Sequence, residues 1–187
     1  DPSKMSPEEL GQKLTDDAIA RPPDAAGAES LLYGLERERE ALGAVNLRAE
    51  DEADWRRLWT GYLDYYQTTV PEAVCASTFA RLLGSDPRDF NGLIAEVDGQ
   101  PMGLTHYLFH RHCWKTGDTC YLQDLYVAPL ARGTGMGRAL IEAVYAAADA
   151  AGAPAVYWLT QDFNTEARHL YDRIGKVTPF IRYNRAL

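Results

Sequence analysis

Between Arg132 and Arg138 the chain reads Arg-Gly-Thr-Gly-Met-Gly-Arg, and residues of these types at this spacing suit a phosphate group. Gly133, Gly135 and Gly137 remove Cβ atoms at alternate positions, so backbone amides can converge on a ligand. If a helix starts here, its first amides lack intrahelical partners, and the helix dipole and two flanking arginines favour an anion. Spacing excludes two of the three phosphate loops that compete for this segment. A Walker loop needs Gly-Lys-Ser/Thr after its last glycine, whereas Gly137 is followed by Arg138 and Ala139. A dinucleotide fingerprint begun by Gly133 and Gly135 needs glycine where Arg138 stands. The third pattern, Gln/Arg-x-x-Gly-x-Gly/Ala, is met by Arg132, Gly135 and Gly137; a glycine-rich turn capping an ordinary helix is its alternative.

The elements that must hold this loop follow from hydrophobic period. Tyr121 to Val127 is rich in β-branched and aromatic residues and reads as a strand, with Pro129 ending its ladder. After the loop, Leu140, Ile141, Val144, Tyr145 and Ala148 mark a helix stopped by Gly152 and Pro154. Ala155 to Thr160 reads as a buried strand. Asn164-Thr165 can cap a helix carrying Ala167, Leu170, Tyr171 and Ile174 on one face, with Gly175 at its end. Thr178 to Tyr183 reads as a last strand. Upstream, Val45 to Ala49 suits a short strand, and Trp55, Leu58, Trp59, Tyr62, Leu63 and Tyr66 recur at helical spacing. Pro71 opens a second helix with Val74, Phe79, Leu82 and Leu83. Leu93 to Val97, a turn at Asp98-Gly99 and Met102 to Phe109 make a hairpin. From Ala44 the order is β-α-α-β-β-β-α-β-α-β, a mixed α/β domain expected over residues 44–187.

Residues 1–40 read as a helical N-terminal extension. Ser6 with Glu9 suits a capping box, and Leu10, Leu14 and Ala18, then Leu31, Leu32, Leu35 and Leu42, form two apolar stripes around a Pro22 to Gly27 break. Asp1 to Lys4, ahead of Met5, read as an appended stretch. The chain carries 27 acidic and 19 basic residues, a net charge of −8 that argues against attraction to nucleic acid or anionic membranes. No segment is apolar for long enough to span a bilayer. Cys75, Cys113 and Cys120 are odd in number and form no close pair, so neither a disulfide framework nor a metal site is indicated and a cytoplasmic protein is expected.

On the segments Leu122-x-Asp124-Leu125-Tyr126-Val127, the Arg132 to Arg138 loop, Val156-Tyr157-Trp158-Leu159-Thr160 and Asn164-x-x-Ala167-x-x-Leu170-Tyr171-x-x-x-Gly175, the chain resembles the GNAT N-acetyltransferase superfamily. The resemblance is strong from Tyr121 to Tyr183, weaker from Ala44 to Cys120 and absent before. Trp59-x-x-Tyr62 with Tyr65-Tyr66, and the Tyr157-Trp158 strand, resemble a subgroup that acetylates histones, polyamines or D-amino acids. The resemblance implies a GNAT fold, with a mostly antiparallel central sheet flanked by helices, and acetyl-CoA as co-substrate. It implies that the backbone of Leu125, Tyr126 and Val127 pairs with the pantetheine arm and that the amides of Arg132, Gly133, Thr134, Gly135, Met136, Gly137 and Arg138 take the pyrophosphate. Asn164 would hold the pantetheine, and Tyr171 would protonate the departing thiolate. A phenol of pKa about 10 is protonated at neutral pH and able to serve.

The implied reaction is direct attack of a neutral amine on the thioester, with the oxyanion steadied by a central-strand amide. Deprotonating a lysine-like amine of pKa about 10.4 at pH 7 costs roughly 4–5 kcal/mol, against about 1 for an α-amine near 8. Polyamine-type members often carry glutamate where Gln123 stands, and an amide cannot take the proton. Asp124 is the base favoured here, with a water chain as the other route, although a regular strand would turn it to the face opposite Gln123. His106, His110 and His112 are further candidates. Acceptor contacts are expected from Tyr65, Glu72 and Gln123, with Tyr62, Tyr66 and Gln67 nearby; Trp55, Trp59 and Tyr62 fit the buried stripe. Arg182 could hold an amino-acid carboxylate. The expected function is acetylation of a small primary amine, an amino acid or polyamine, by a homodimer. A protein-lysine acetyltransferase and a non-catalytic acetyl-CoA-binding module are the alternatives.

Overall fold

The computed structural model describes residues 43–185. The helical extension expected over residues 1–40 lies outside the described residues. In chain order the elements are β1 (Ala44–Asn46), α1 (Glu52–Tyr65), α2 (Glu72–Leu82), β2 (Asn91–Val97), β3 (Gln100–His110), β4 (Thr119–Val127), α3 (Met136–Ala150), β5 (Val156–Trp158) and α4 (Thr165–Ile174). The five strands lie side by side in chain order. The first four are antiparallel and β5 runs parallel to β4, a connection that needs a crossover, which α3 supplies. This is the mixed sheet flanked by helices that the sequence pattern predicts.

Helices cover both faces, so β2 buries four consecutive residues, Gly92 to Ala95, where a one-sided strand would alternate. Leu93 and Ala95 join the cluster built on Leu140, Ile141 and Val144 of α3, while Ile94 joins Trp55, Leu58 and Trp59 of α1. The hairpin turns where expected. Asp98 (φ 50°) and Gly99 (φ 73°) both take left-handed backbone, the geometry that matches the twist of a two-residue hairpin.

The last expected strand does not form. Val177, Phe180, Ile181 and Tyr183 are 73, 85, 73 and 86% exposed, and the sheet ends at β5. Their pattern suits a ladder, but a strand needs a neighbour to exchange backbone hydrogen bonds, and the described residues offer none on that side. The strand expected over Ala155 to Thr160 is shorter than its pattern, and its residues are exposed to half-buried.

One close approach fixes α1 on the sheet. A Cβ built on Gly61 would meet the Tyr126 hydroxyl and lie 2.7 Å from Tyr126 Cζ, so the ring of β4 occupies the space a side chain would need. On an open helix face, exchanging glycine for alanine gains up to about 1 kcal/mol. Here overpacking should reverse the sign: Gly61→Ala is expected to lower stability by about 1–2 kcal/mol in urea unfolding monitored by tryptophan fluorescence.

Candidate active site

β4 and β5 pair only at Cys120 with Val156, Tyr121 with Tyr157 and Leu122 with Trp158. β5 then stops while β4 runs on to Val127, leaving the β4 edge from Gln123 onward without a neighbour on that side. A cavity of about 720 Å³ occupies the opening. Gln123, Leu125, Tyr126 and Val127 line one wall, Trp158, Leu159 and Thr160 the other, and the glycine loop, α4 and the end of α1 complete it. An unpaired strand edge offers donors and acceptors in the row that an extended amide-containing chain can match.

The glycine loop closes one end. Gly133 (φ 78°) and Gly135 (φ 93°) take left-handed backbone. Gly135 is the N-cap of α3, and the first helical hydrogen bond is donated by Ala139 to its carbonyl. The amides of Met136, Gly137 and Arg138 therefore lack intrahelical partners, and no acidic side chain sits in the first turn to compete for them. A Cβ on Gly137 would come 3.3 Å from Leu170 Cδ2, so glycine lets α4 close on the loop. Arg132 Nε donates to the Val127 carbonyl at 3.1 Å and Arg138 Nε to Glu142 at 2.9 Å, which anchors both guanidinium groups at the cavity wall. The Thr134 hydroxyl donates to the Ala131 carbonyl at 2.8 Å, and the Met136 side chain is buried in the core, so of the loop residues expected at the site these two do not line the cavity. Asn164 caps α4 by accepting from the Ala167 amide and donates to Thr160 Oγ1 at 3.1 Å.

Tyrosines close the other end. Tyr62, Tyr65 and Tyr66 from α1 and the residue after it face Tyr171 of α4 across the opening. Burial, then the neighbouring Tyr66 and Tyr65, pushes the Tyr171 phenol up to about 12. Burial, then the Asp124 carboxylate beside it, pushes Tyr62 well above the ordinary phenol range.

Asp124 reaches this group through an irregularity of the strand. His106 pairs with Asp124 but Tyr107 pairs with Leu122, so Gln123 is an extra, unpaired residue. Such a bulge shifts the alternation by one. Cys120 and Leu122 before it, and Leu125 and Val127 after it, all pack on the α3 side. Asp124 and Tyr126 consequently turn toward α1, where a regular strand would have sent Asp124 to the α3 side. Asp124 stands behind the wall rather than on it: its Oδ2 lies 2.9 Å from His106 Nδ1, and Thr105 Oγ1 donates to its main-chain carbonyl at 2.8 Å. His106 Nε2 in turn accepts from Trp55 Nε1 at 2.8 Å.

Of the expected acceptor contacts, Tyr65 and Gln123 line the cavity and Glu72 does not. Glu72 opens α2, where its carboxylate pairs with Arg56 of α1 at 2.9 Å. His110 sits against the Tyr157 hydroxyl (3.1 Å) and His112 against the Trp114 amide, both outside the cavity. Arg182 is likewise outside it, in the exposed C-terminal segment. Sequence reading missed His169 and Arg173, which line the cavity. Their spacing from Asn164 and Leu170 on α4 is the signal that would have found them.

The sequence model of the acetyltransferase (GNAT) family matches residues 53–175. This chain belongs to that family. The acetyltransferase is 37% identical over 140 residues to the D-amino-acid N-acetyltransferase of Saccharomyces cerevisiae, covering 74% of this chain and 87% of the yeast protein. It is 33% identical over 94 residues to the thialysine N-epsilon-acetyltransferase of Bos taurus, covering 46% of this chain and 55% of that one, about half its length. Among solved structures, an aminoglycoside acetyltransferase from an uncultured soil metagenomic sample superposes with a TM-score of 0.67 at 16% identity, covering 79% of this chain and 97% of that one. A ribosomal-protein-alanine N-acetyltransferase from Brucella melitensis superposes with a TM-score of 0.63 at 18% identity, over 78% and 99%. These two carry the fold. The enzyme is an N-acetyltransferase, and GNAT acetyltransferases take their acetyl group from acetyl-CoA. No helix among the described residues is long and apolar enough to cross a membrane.

The tyrosine cluster has a consequence for stability. Above pH about 10 the unfolded chain ionises its phenols, whereas folded Tyr171 keeps its proton up to about 12. The contribution is complete below pH about 10 and is lost as pH rises toward 12. Urea midpoints are expected to fall over that window, and Tyr171→Phe to make the fall shallower.

Proposed function

We propose that this acetyltransferase moves the acetyl group of acetyl-CoA to the primary amine of a small molecule, an α-amino acid, by direct attack. The charge of the cavity wall carries the reading: Arg132, Arg138 and Arg173 line it against Glu166 alone. Arg132 and Arg138 accommodate the phosphates of the co-substrate, which leaves Arg173 to meet an acceptor bearing a carboxylate, a group that a polyamine lacks. The yeast relative, a D-amino-acid N-acetyltransferase, supports the same acceptor class.

The residues fit acetyl-CoA. The free amides at the start of α3, with Arg132 and Arg138, would take its pyrophosphate, the open β4 edge at Leu125, Tyr126 and Val127 its pantetheine, and Asn164 would orient that arm. The thioester supplies an activated acetyl carbon and a leaving sulfur. Tyr171, protonated at any working pH, would donate to that sulfur. A thiol of pKa about 8.5 is the stronger acid, so complete transfer from a phenol at about 12 is uphill by roughly 5 kcal/mol. Tyr171 therefore steadies developing thiolate charge by a hydrogen bond rather than surrendering its proton outright. Asp124, behind Tyr62, is the base, while Tyr65 and Gln123 contact the acceptor.

Release of coenzyme A thiol across D- and L-amino acids, polyamines and lysine peptides tests the acceptor. Turnover should favour amino acids, and a preference for polyamines or peptides would overturn the reading. Tyr171→Phe should lower kcat about 10–100-fold, the worth of a hydrogen bond to a charged group, with acetyl-CoA binding unchanged within about 3-fold by calorimetry.

The protein is further proposed to work as a cytoplasmic homodimer, with residues 44–187 as its catalytic domain. β5 has an open outer edge, and Val177, Phe180, Ile181 and Tyr183 are apolar and exposed beyond it. Pairing with a second copy would cover both. Light scattering should give about twice the 20.8 kDa chain mass.

A further inference from the structure

Behind the tyrosine wall, three side chains from three elements form a buried line: Trp55 of α1, His106 of β3 and Asp124 of β4, exposed by 0, 3 and 9%. Its polarity follows from donor chemistry. An indole nitrogen can only donate, so the 2.8 Å contact with Trp55 makes His106 Nε2 the unprotonated, accepting nitrogen. The ring proton is then on Nδ1 and is donated to Asp124 Oδ2 at 2.9 Å. A second proton on Nε2 would set two donors face to face and leave a buried indole N–H without an acceptor. Stacking of Trp55 on Trp59, with ring centroids 4.8 Å apart, and its contact with Phe79 at 5.1 Å hold the indole in place. Thr105 holds the Asp124 main chain, so neither end of the aspartate is free to turn.

Oδ2 is engaged by His106, and the carboxylate lies close enough to Tyr62 to raise its phenol. Among the described residues, the titratable groups around this carboxylate are His106 from β3, Tyr62 and Tyr66 from the α1 segment and Tyr121 from its own strand. The neighbouring strand β2 brings only Gly92 against the imidazole. No cation from these elements neutralises the carboxylate, and Tyr62 and Tyr66 are the neighbours that also line the cavity, Tyr62 being the more strongly affected by Asp124.

We infer that Trp55, His106 and Asp124 form a relay of fixed polarity whose outlet is Tyr62, and that this relay receives the proton of an acceptor that arrives as an ammonium ion. The inference rests on the acetyl-transfer reading with Asp124 as its base, and adds the route to that base and two positioning residues. The ammonium N–H proton passes to the Tyr62 oxygen while the Tyr62 proton passes to the Asp124 carboxylate. The freed nitrogen pair forms the C–N bond, the C–S bond breaks with its electron pair going to sulfur, and the second nitrogen proton ends on sulfur. Asp124 returns its proton to water by the same route once product leaves. His106 and Trp55 take no proton; they hold the carboxylate in place and keep it from being neutralised by a protonated imidazole.

The test compares two acceptor types in the full chain: an α-amino acid, mostly ammonium at pH 7, and hydroxylamine, whose nitrogen is already neutral there. Asp124→Asn and His106→Leu should each lower kcat with the amino acid about 100-fold. With hydroxylamine the loss should stay within about 5-fold, since no proton has to be removed first. His106→Asn, whose amide can donate where Nδ1–H stood, should recover at least about a tenth of wild-type turnover. Equal losses with both acceptors, or no difference between His106→Asn and His106→Leu, would overturn the relay. Nitrogen-15 NMR of the unsubstituted protein supplies a readout that needs neither turnover nor a variant that folds. A protonated Nδ1 and a bare Nε2 on His106 support the relay, and the reverse tautomer sinks it. Absence of turnover with every amine would sink the acetyl-transfer reading and with it the proton route, leaving the NMR result to judge the polarity alone.

Discussion

Past Leu122 the fourth and fifth strands stop exchanging hydrogen bonds, and the cleft exists because no strand replaces the lost partner. Backbone donors and acceptors along Gln123 to Val127 are left facing a cavity instead of a ladder, a condition that a folded chain tolerates only where water or a ligand answers it. The bulge at Gln123 acts at the same place. By inserting one residue into β4 it sends Leu125 and Val127 to one core cluster and Asp124 to the other, so a carboxylate is carried under the tyrosine cluster while the strand keeps its apolar contacts.

The two ends of that cleft are built from opposite materials. At the α3 end, glycines bring backbone amides together and arginines are tethered beside them, so positive potential is fixed in position before any anion arrives. At the α1 end, phenols surround a single carboxylate that is itself held by an imidazole and an indole. An acidic chain, at −8 overall, thus presents a largely basic cavity wall, and whole-chain charge is a poor guide to the site. Packing ties the ends together. Tyr126 fills the notch at Gly61 on one face of β4, and Leu170 of α4 closes on Gly137, so neither helix can shift without disturbing the strand edge between them.

Much of this was legible in residue order because it depends on short-range physics. The period of Trp55, Leu58, Trp59 and Tyr62, the Asp98-Gly99 turn, the Asn164 cap and the arginine-glycine loop are each specified within a few residues, and each stands where its pattern puts it. Patterns that need a distant partner were less secure. Thr178 to Tyr183 has the alternation of a strand and no neighbour to pair with among the described residues, and Glu72 has the chemistry of an acceptor carboxylate but is drawn to Arg56 of α1.

The sequence by itself determined most of the elements, the glycine loop and the resemblance to acetyltransferases, since propensity, capping and glycine geometry act within one turn or one strand. Tertiary structure alone decided which side of β4 Asp124 occupies, which histidine matters and which charges reach the cavity. Trp55 and His106 are separated by 51 positions and no spacing rule joins them; they meet because α1 lies across the sheet at that register. The bulge has the same origin. A one-residue change of pairing leaves no mark in composition or period, yet it reverses the direction of every side chain beyond it.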